Sequence, residues 1–119
     1  MSTRVAVIGL GRMGGPMADH VIAAGHDVHV FDVAADAVAP RVAAGATAAA
    51  SPAEAAVGAT VVSVVVFDDA QATEVVAGRD GVLRTLEPGA VVAIHTTVTL
   101  DTIHALCPSE ESAAFVGLA

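Results

Sequence analysis

Apolar positions in this chain gather into short, almost unbroken runs, separated by glycine and proline breaks and by amphipathic stretches. Arg4–Ile8 is the first run and predicts a strand. Residues 13–24 predict a helix, with Pro16 tolerated in its opening turn and Gly25 placed to end it. Residues 27–32, DVHVFD, alternate before turning apolar and predict a second strand. A second helix is expected over 34–44, shortened or kinked at Pro40 and closed by Gly45, then a brief third strand over 47–49. Ser51-Pro52-Ala53-Glu54 combines an N-cap, a proline at the first helical position and a capping-box glutamate, so a short third helix opens there. The clearest strand is 60–67, TVVSVVVF, β-branched and expected to be buried on both faces. Asp68 or Asp69 caps a helix running through Val76, and 81–86 predict a short helical piece stopped by Pro88-Gly89. Residues 90–95 predict a fifth strand and 99–106 a last helix, stopped by Pro108.

Strands alternating with helices at this spacing imply βαβ units. The expected fold class is α/β, a Rossmann-type doubly wound parallel sheet in one domain spanning residues 1–119. Right-handed crossovers then bring Gly9, Asp32, Phe67 and Thr96 to the same carboxyl edge. The sheet is expected to be truncated after about five strands.

Composition narrows the picture. Hydrophobic residues make up 55% of the chain and mean hydropathy is +0.71, mostly from alanine and valine, which suits parallel strands covered on both faces. A net charge of −8 argues against nucleic acid or an anionic membrane as partner. The apolar run over 57–67 holds Thr60 and Ser63 and falls short of the roughly 20 residues a membrane span needs. No basic segment precedes the first apolar run, so it is expected to be a strand rather than a signal peptide, and the protein to be cytoplasmic. The single cysteine, Cys107, has no partner for a disulfide or a CxxC pair. His20, His26, His29 and His104 show no metal-ligand spacing, so no metal is expected.

The chemistry concentrates in VAVIGLGRMGGPMA, where Gly9, Gly11 and Gly14 stand at G-x-G-x-x-G spacing between a strand and a helix. The first glycine permits a tight turn, the second a close approach to a pyrophosphate, and the third lets the helix pack on its strand. The helix N-terminus then presents amides and a positive dipole end to the phosphates. Arg12, on the turn, is placed either to reach a phosphate or to remain solvated. Asp32 ends the second strand 18 residues after Gly14, where such folds place the carboxylate that accepts the adenosine ribose hydroxyls. That carboxylate repels a 2′-phosphate, and Val33 and Ala34 offer no arginine to hold one. NAD is therefore expected as cofactor in preference to NADP.

These residues carry a resemblance. GLGRMGGPMA is similar to the signature of the β-hydroxyacid dehydrogenases, the group of 3-hydroxyisobutyrate dehydrogenase, tartronate semialdehyde reductase and the cofactor domain of 6-phosphogluconate dehydrogenase. The similarity continues through VVSVVVFDDAQATEVVAGRDGVL and PGAVVAIHTTVTL and covers about residues 4–106. It implies a cofactor-binding set of Gly9, Leu10, Gly11, Arg12, Met13, Gly14 and Asp32, with Phe67 and Asp68 against the adenosine or ribose. It also implies that Thr96 binds the substrate carboxylate and hydroxyl, and that Thr97 lies near the nicotinamide. His95, just before that pair, is expected to be an ordinary strand-end residue rather than a general base. His20, Ile94 and Leu100 depart from the asparagine, aspartate and proline usual in the family. The tail CPSEESAAFVGLA departs from the family pattern as well, with AAFVGLA a remnant of a sixth strand. In the family a lysine on a later helix is the general acid/base, and a helical C-terminal domain completes the pocket. This chain contains no lysine, its basic residues being Arg4, Arg12, Arg41, Arg79 and Arg84. No catalytic residue is assigned. The expectation is the NAD(P)-binding domain of a 3-hydroxyacid dehydrogenase-like oxidoreductase, meeting a small 3-hydroxy acid only when a C-terminal domain completes it. The alternative is a stand-alone, non-catalytic dinucleotide-binding or sensing module. Self-association is expected through apolar strand faces at 61–66 and 91–94.

Overall fold

The structure, a computed structural model, describes residues 3–95 and 115–118. Its elements alternate as the apolar pattern predicts: β1 (Arg4–Ile8), α1 (Gly14–Ala23), β2 (Asp27–Phe31), α2 (Ala35–Ala43), β3 (Thr47–Ala48), α3 (Pro52–Ala56), β4 (Val61–Val64), α4 (Asp69–Ala77), a 3₁₀ turn (Val82–Arg84), β5 (Val91–Ile94) and β6 (Phe115–Leu118). The sheet has six strands in the order β3-β2-β1-β4-β5-β6, and every pairing is parallel. The order reverses between β1 and β4, which makes the crevice above their carboxyl ends a topological switch point.

Two apolar clusters flank the sheet. On one side Val5, Val7, Val28 and Val30 pack under Ala18 of α1, with Ala37 and Val38 of α2 beside them. On the other side Ala6, Ile8, Val62, Val64, Val92 and Ile94 pack under Ala55 and Ala56 of α3, Ala72 and Val76 of α4, and Val82. Alanine at the helix positions lets the helices sit close to the β-branched strand residues, which explains the alanine–valine composition.

The predicted helix starts hold in detail. The Ser51 hydroxyl accepts the Glu54 amide at 3.1 Å, and the Glu54 carboxylate accepts the Ala50 amide at 2.8 Å, closing the reciprocal cap of α3. Pro40 lies inside α2 without ending it.

The remnant of a sixth strand expected at AAFVGLA is present: FVGL pairs along β5 from Val91↔Phe115 to Ile94↔Leu118. Two expectations need correction. The strand expected over 60–67 is shorter, because after Val64 the chain turns toward the switch point, with the Val65 amide still donating to the Ile8 carbonyl at 2.8 Å. Nor is β4 buried on both faces. Val62 and Val64 are buried, but Val61 and Ser63 are only partly so, and on the same face Val91 is 37% exposed. Among the described residues α1 and α2 cover that face only over β1 and β2. The helix expected over 99–106, together with Thr96, Thr97, His104, Cys107 and Pro108, lies outside the described residues.

Candidate functional site

The glycine turn leaves β1 at the switch point, and its three glycines do different work. Gly9 has φ of 97°, and a Cβ there would overlap the Val65 carbonyl. Its amide donates to the Phe31 carbonyl at 2.9 Å. A Cβ on Gly14 would overlap the Gly9 carbonyl, so the absence of a side chain is what lets α1 begin directly against the turn. Gly11 differs. A Cβ there would meet nothing within 4 Å, and its φ is not in the left-handed range. Neither packing nor backbone conformation requires glycine at that position.

The same stretch presents donors. Among the described residues the amides of Gly11, Arg12 and Met13 meet no backbone acceptor, and no side chain caps α1 at Met13. Arg12 is exposed and Met13 is 56% exposed. Leu10 faces the other way, its side chain 3% exposed in the core under α1. Behind the turn, the Arg41 guanidinium donates to the Gly15 carbonyl at 3.3 Å and to Asp19 at 3.2 Å, occupying the space a Gly15 side chain would need.

Asp32 follows β2 and stands beside the turn. Its Oδ2 accepts the Leu10 amide at 2.8 Å and its Oδ1 accepts the Ala34 amide at 2.8 Å. The bond to Leu10 is not visible in the sequence, where Asp32 is marked only by its distance from the glycines. Phe67 and Asp68 lie on the β4–α4 loop at the same edge. The Phe67 ring is 87% exposed, and Asp68 caps α4 by accepting the Gln71 amide at 2.8 Å. Val33, 92% exposed, joins Met13 and Phe67 as a large apolar side chain left open on these loops.

Sequence reasoning missed a cleft of about 260 Å³ that opens where β2 ends, lined by Phe31, Val33, Ser51, Pro52, Glu74 and Val75 among others. The residues come from four separate segments, so no local motif announces it. His95 follows β5 and donates its amide to the Val64 carbonyl at 2.9 Å, while its buried Nε2 has no hydrogen-bond partner among the described residues. Thr96 and Thr97, expected to meet substrate and nicotinamide, lie outside the described residues. No group of His, Cys, Asp or Glu among the described residues is arranged to hold a metal.

At the opposite, amino edge of the sheet the Asp27 carboxylate accepts from Arg4 Nε at 2.8 Å and lies 3.2 Å from His29 Nε2. The Arg4 hydrogen bond, helped by the charges of His29 and Arg4, outweighs partial burial and holds the Asp27 carboxyl below its ordinary range.

A parallel sheet reversing at β1/β4, with open amides and an unfilled glycine at the reversal, defines a dinucleotide-binding domain of the Rossmann type. The chain belongs to the family of the NAD-binding domain of 6-phosphogluconate dehydrogenase, whose family model matches residues 4–117. An uncharacterized oxidoreductase of Mycobacterium tuberculosis is 44% identical over 95 residues, 80% of this chain and 32% of its own length. The 3-sulfolactaldehyde reductase of Escherichia coli is 40% identical over 102 residues, 86% of this chain and 33% of its own length. In a solved structure, the 3-hydroxyisobutyrate dehydrogenase of Mycobacterium tuberculosis with L-serine superposes with a TM-score of 0.84 at 26% identity, over 98% of this chain and 40% of that one. The chain thus spans about a third of the length of the curated relatives it matches. Among the described residues no helix is long and apolar enough to cross a membrane.

Proposed function

We propose that residues 1–119 form one cofactor-binding unit that holds NAD in preference to NADP, within a hydride-transferring oxidoreductase acting on a small 3-hydroxy acid. The observation that carries the reading is the empty space at Gly11 beside the amides of Gly11, Arg12 and Met13. A glycine the fold does not need, next to donors with no acceptor, suits the close approach of a pyrophosphate. Gly9 and Gly14 shape that turn, and Arg12 is placed to add a charge-assisted contact.

The adenosine end falls to Asp32, Phe67 and Asp68, with the apolar walls Phe31, Val33 and Val75 of the cleft suited to a flat heterocycle. The carboxylate of Asp32 keeps lone pairs for ribose hydroxyls after accepting its two amides. Glu74 and Asp80 on the cleft wall add negative charge there, and Val33 and Ala34 supply no cation, so a 2′-phosphate is disfavoured. Leu10 contributes through its buried anchorage rather than by touching the ligand with its side chain. Thr97 is assigned to the nicotinamide side and Thr96 to the substrate carboxylate and hydroxyl.

Bound nicotinamide would supply the hydride chemistry. What the chain itself does is orient and hold. Transfer between alcohol and carbonyl also needs a proton donor at the oxygen, and with no lysine in the sequence we assign none here. The second reading is a non-catalytic dinucleotide-binding or sensing module. Fluorescence titration with NADH and NADPH tests the first. NADH should bind more tightly, and Asp32→Ala should narrow the difference; equal affinities in the unmodified chain would sink the NAD assignment.

A further inference from the structure

We infer that Asp32 is a positioning residue for the phosphate end of the site, acting through the Leu10 peptide, in addition to any contact it makes with a ribose. The inference rests on the cofactor reading above and assigns to one carboxylate a second task at a group it does not touch.

The geometry is specific. Leu10 stands between the first two glycines of the turn, its side chain sunk in the core at 3% exposure and its amide donating to Asp32 Oδ2 at 2.8 Å. The preceding amide, of Gly9, donates to the Phe31 carbonyl at 2.9 Å. Two consecutive residues of the turn are therefore tied to the end of β2, immediately before the amides of Gly11, Arg12 and Met13. Tying Leu10 turns its amide away from the ligand and sets the orientation of the peptides that follow. The other oxygen of Asp32 accepts the Ala34 amide at 2.8 Å, so the β2–α2 turn is fixed by the same side chain.

This arrangement needs an aspartate whether or not a ribose is present. Two amides converge on the side chain from opposite sides, and only a carboxylate of that length offers an acceptor to each. Asparagine has one oxygen and would set its NH₂ against the second amide. A carboxylate with amide donors also makes the stronger, charge-assisted kind of hydrogen bond.

The proposal has a sign opposite to that of plain electrostatics. A carboxylate near a polyanion repels it, so removing the charge alone should tighten pyrophosphate binding. If Asp32 holds the turn, removing it should weaken binding of pyrophosphate, which carries no ribose. The test uses the whole chain, ¹⁵N-labelled, with inorganic pyrophosphate and NADH as probes. In the ligand-free protein the Leu10 and Ala34 amide resonances should shift together as Asp32 is protonated, a readout that needs no variant. In Asp32→Asn and Asp32→Ala, Leu10 amide exchange should accelerate and pyrophosphate affinity fall by about tenfold, the scale of one lost charge-assisted hydrogen bond. Pyrophosphate binding that is unchanged or tighter in both variants, with NADH binding weakened, would leave Asp32 a ribose contact only and overturn the inference. So would Leu10 and Ala34 amides that ignore the protonation of Asp32. An unmodified chain that binds neither NADH nor pyrophosphate removes the cofactor reading and this inference with it, whereas NADH binding with an unresponsive Leu10 removes the inference alone.

Discussion

At the scale of single residues, three glycines that are equivalent in the motif separate into two kinds. Gly9 and Gly14 are explained by the protein's own backbone, which a Cβ would strike at each. Gly11 is explained by nothing in the chain itself. The spacing was legible in the sequence, but the division was not, because it depends on whether neighbouring backbone approaches, and only the fold sets that. It gives opposite expectations for the same substitution. Gly14→Ala should destabilise the fold by about 2–3 kcal/mol through overpacking against the Gly9 carbonyl, lowering the melting temperature. Gly11→Ala should change stability by less than about 0.5 kcal/mol, as open surface positions do, while weakening NADH binding. A melt and a fluorescence titration on each variant check the pair. A Gly11→Ala protein that melts early but binds normally would contradict the assignment.

At the scale of elements, the sequence carried local chemistry well and long-range coverage poorly. The capping box at Ser51 and the cap at Asp68 were readable because each is completed within four residues. The exposed face of β4 was not readable, since TVVSVVVF states hydrophobicity but not which helix lies above it. The sixth strand was legible only as a remnant, because FVGL is short and its partner β5 lies 24 positions earlier, from Val91 to Phe115. The tie between α1 and α2 was equally hidden. Arg41 is 16% exposed and fills the space beside Gly15, so Gly15→Ala should expel the guanidinium and destabilise by about 1–2 kcal/mol. Denaturant melts of Gly15→Ala, Arg41→Ala and the double variant check this. The double variant should be no less stable than the sum of the singles, because the clash disappears with the arginine. The strand pair β1–β2 carries a pH-dependent tie through Arg4 and Asp27. Arg4 lowers the folded-state pKa of Asp27, so its contribution is present above the ordinary carboxylate pKa and is lost as pH falls through the lowered value. Thermal melts between about pH 5 and pH 2 should show the unmodified chain losing stability more steeply than Asp27→Asn. The effect should be modest, because both partners are about 40% exposed.

At the scale of the whole molecule, the chain supplies a dinucleotide-binding fold and spans about a third of the length of the curated relatives it matches. The strand order and the open glycine turn suit a dinucleotide, and the net charge of the sequence is −8. The five Lys and Arg residues of the sequence are all arginines. Among the described residues the face of β4 and β5 that carries Val61, Ser63 and Val91 is only partly covered. The expected outcome for the 119-residue chain is therefore NADH binding with no measurable oxidation of 3-hydroxyisobutyrate or L-serine. Mixing it with the separately expressed remainder of the 44% identical oxidoreductase tests whether the missing chemistry is supplied from outside. Turnover that appears only in the mixture identifies a cofactor-binding part of a dehydrogenase. NADH binding with no turnover in any mixture favours the sensing module. Turnover by the chain alone would mean that a group such as His95, whose buried Nε2 has no partner among the described residues, moves the proton.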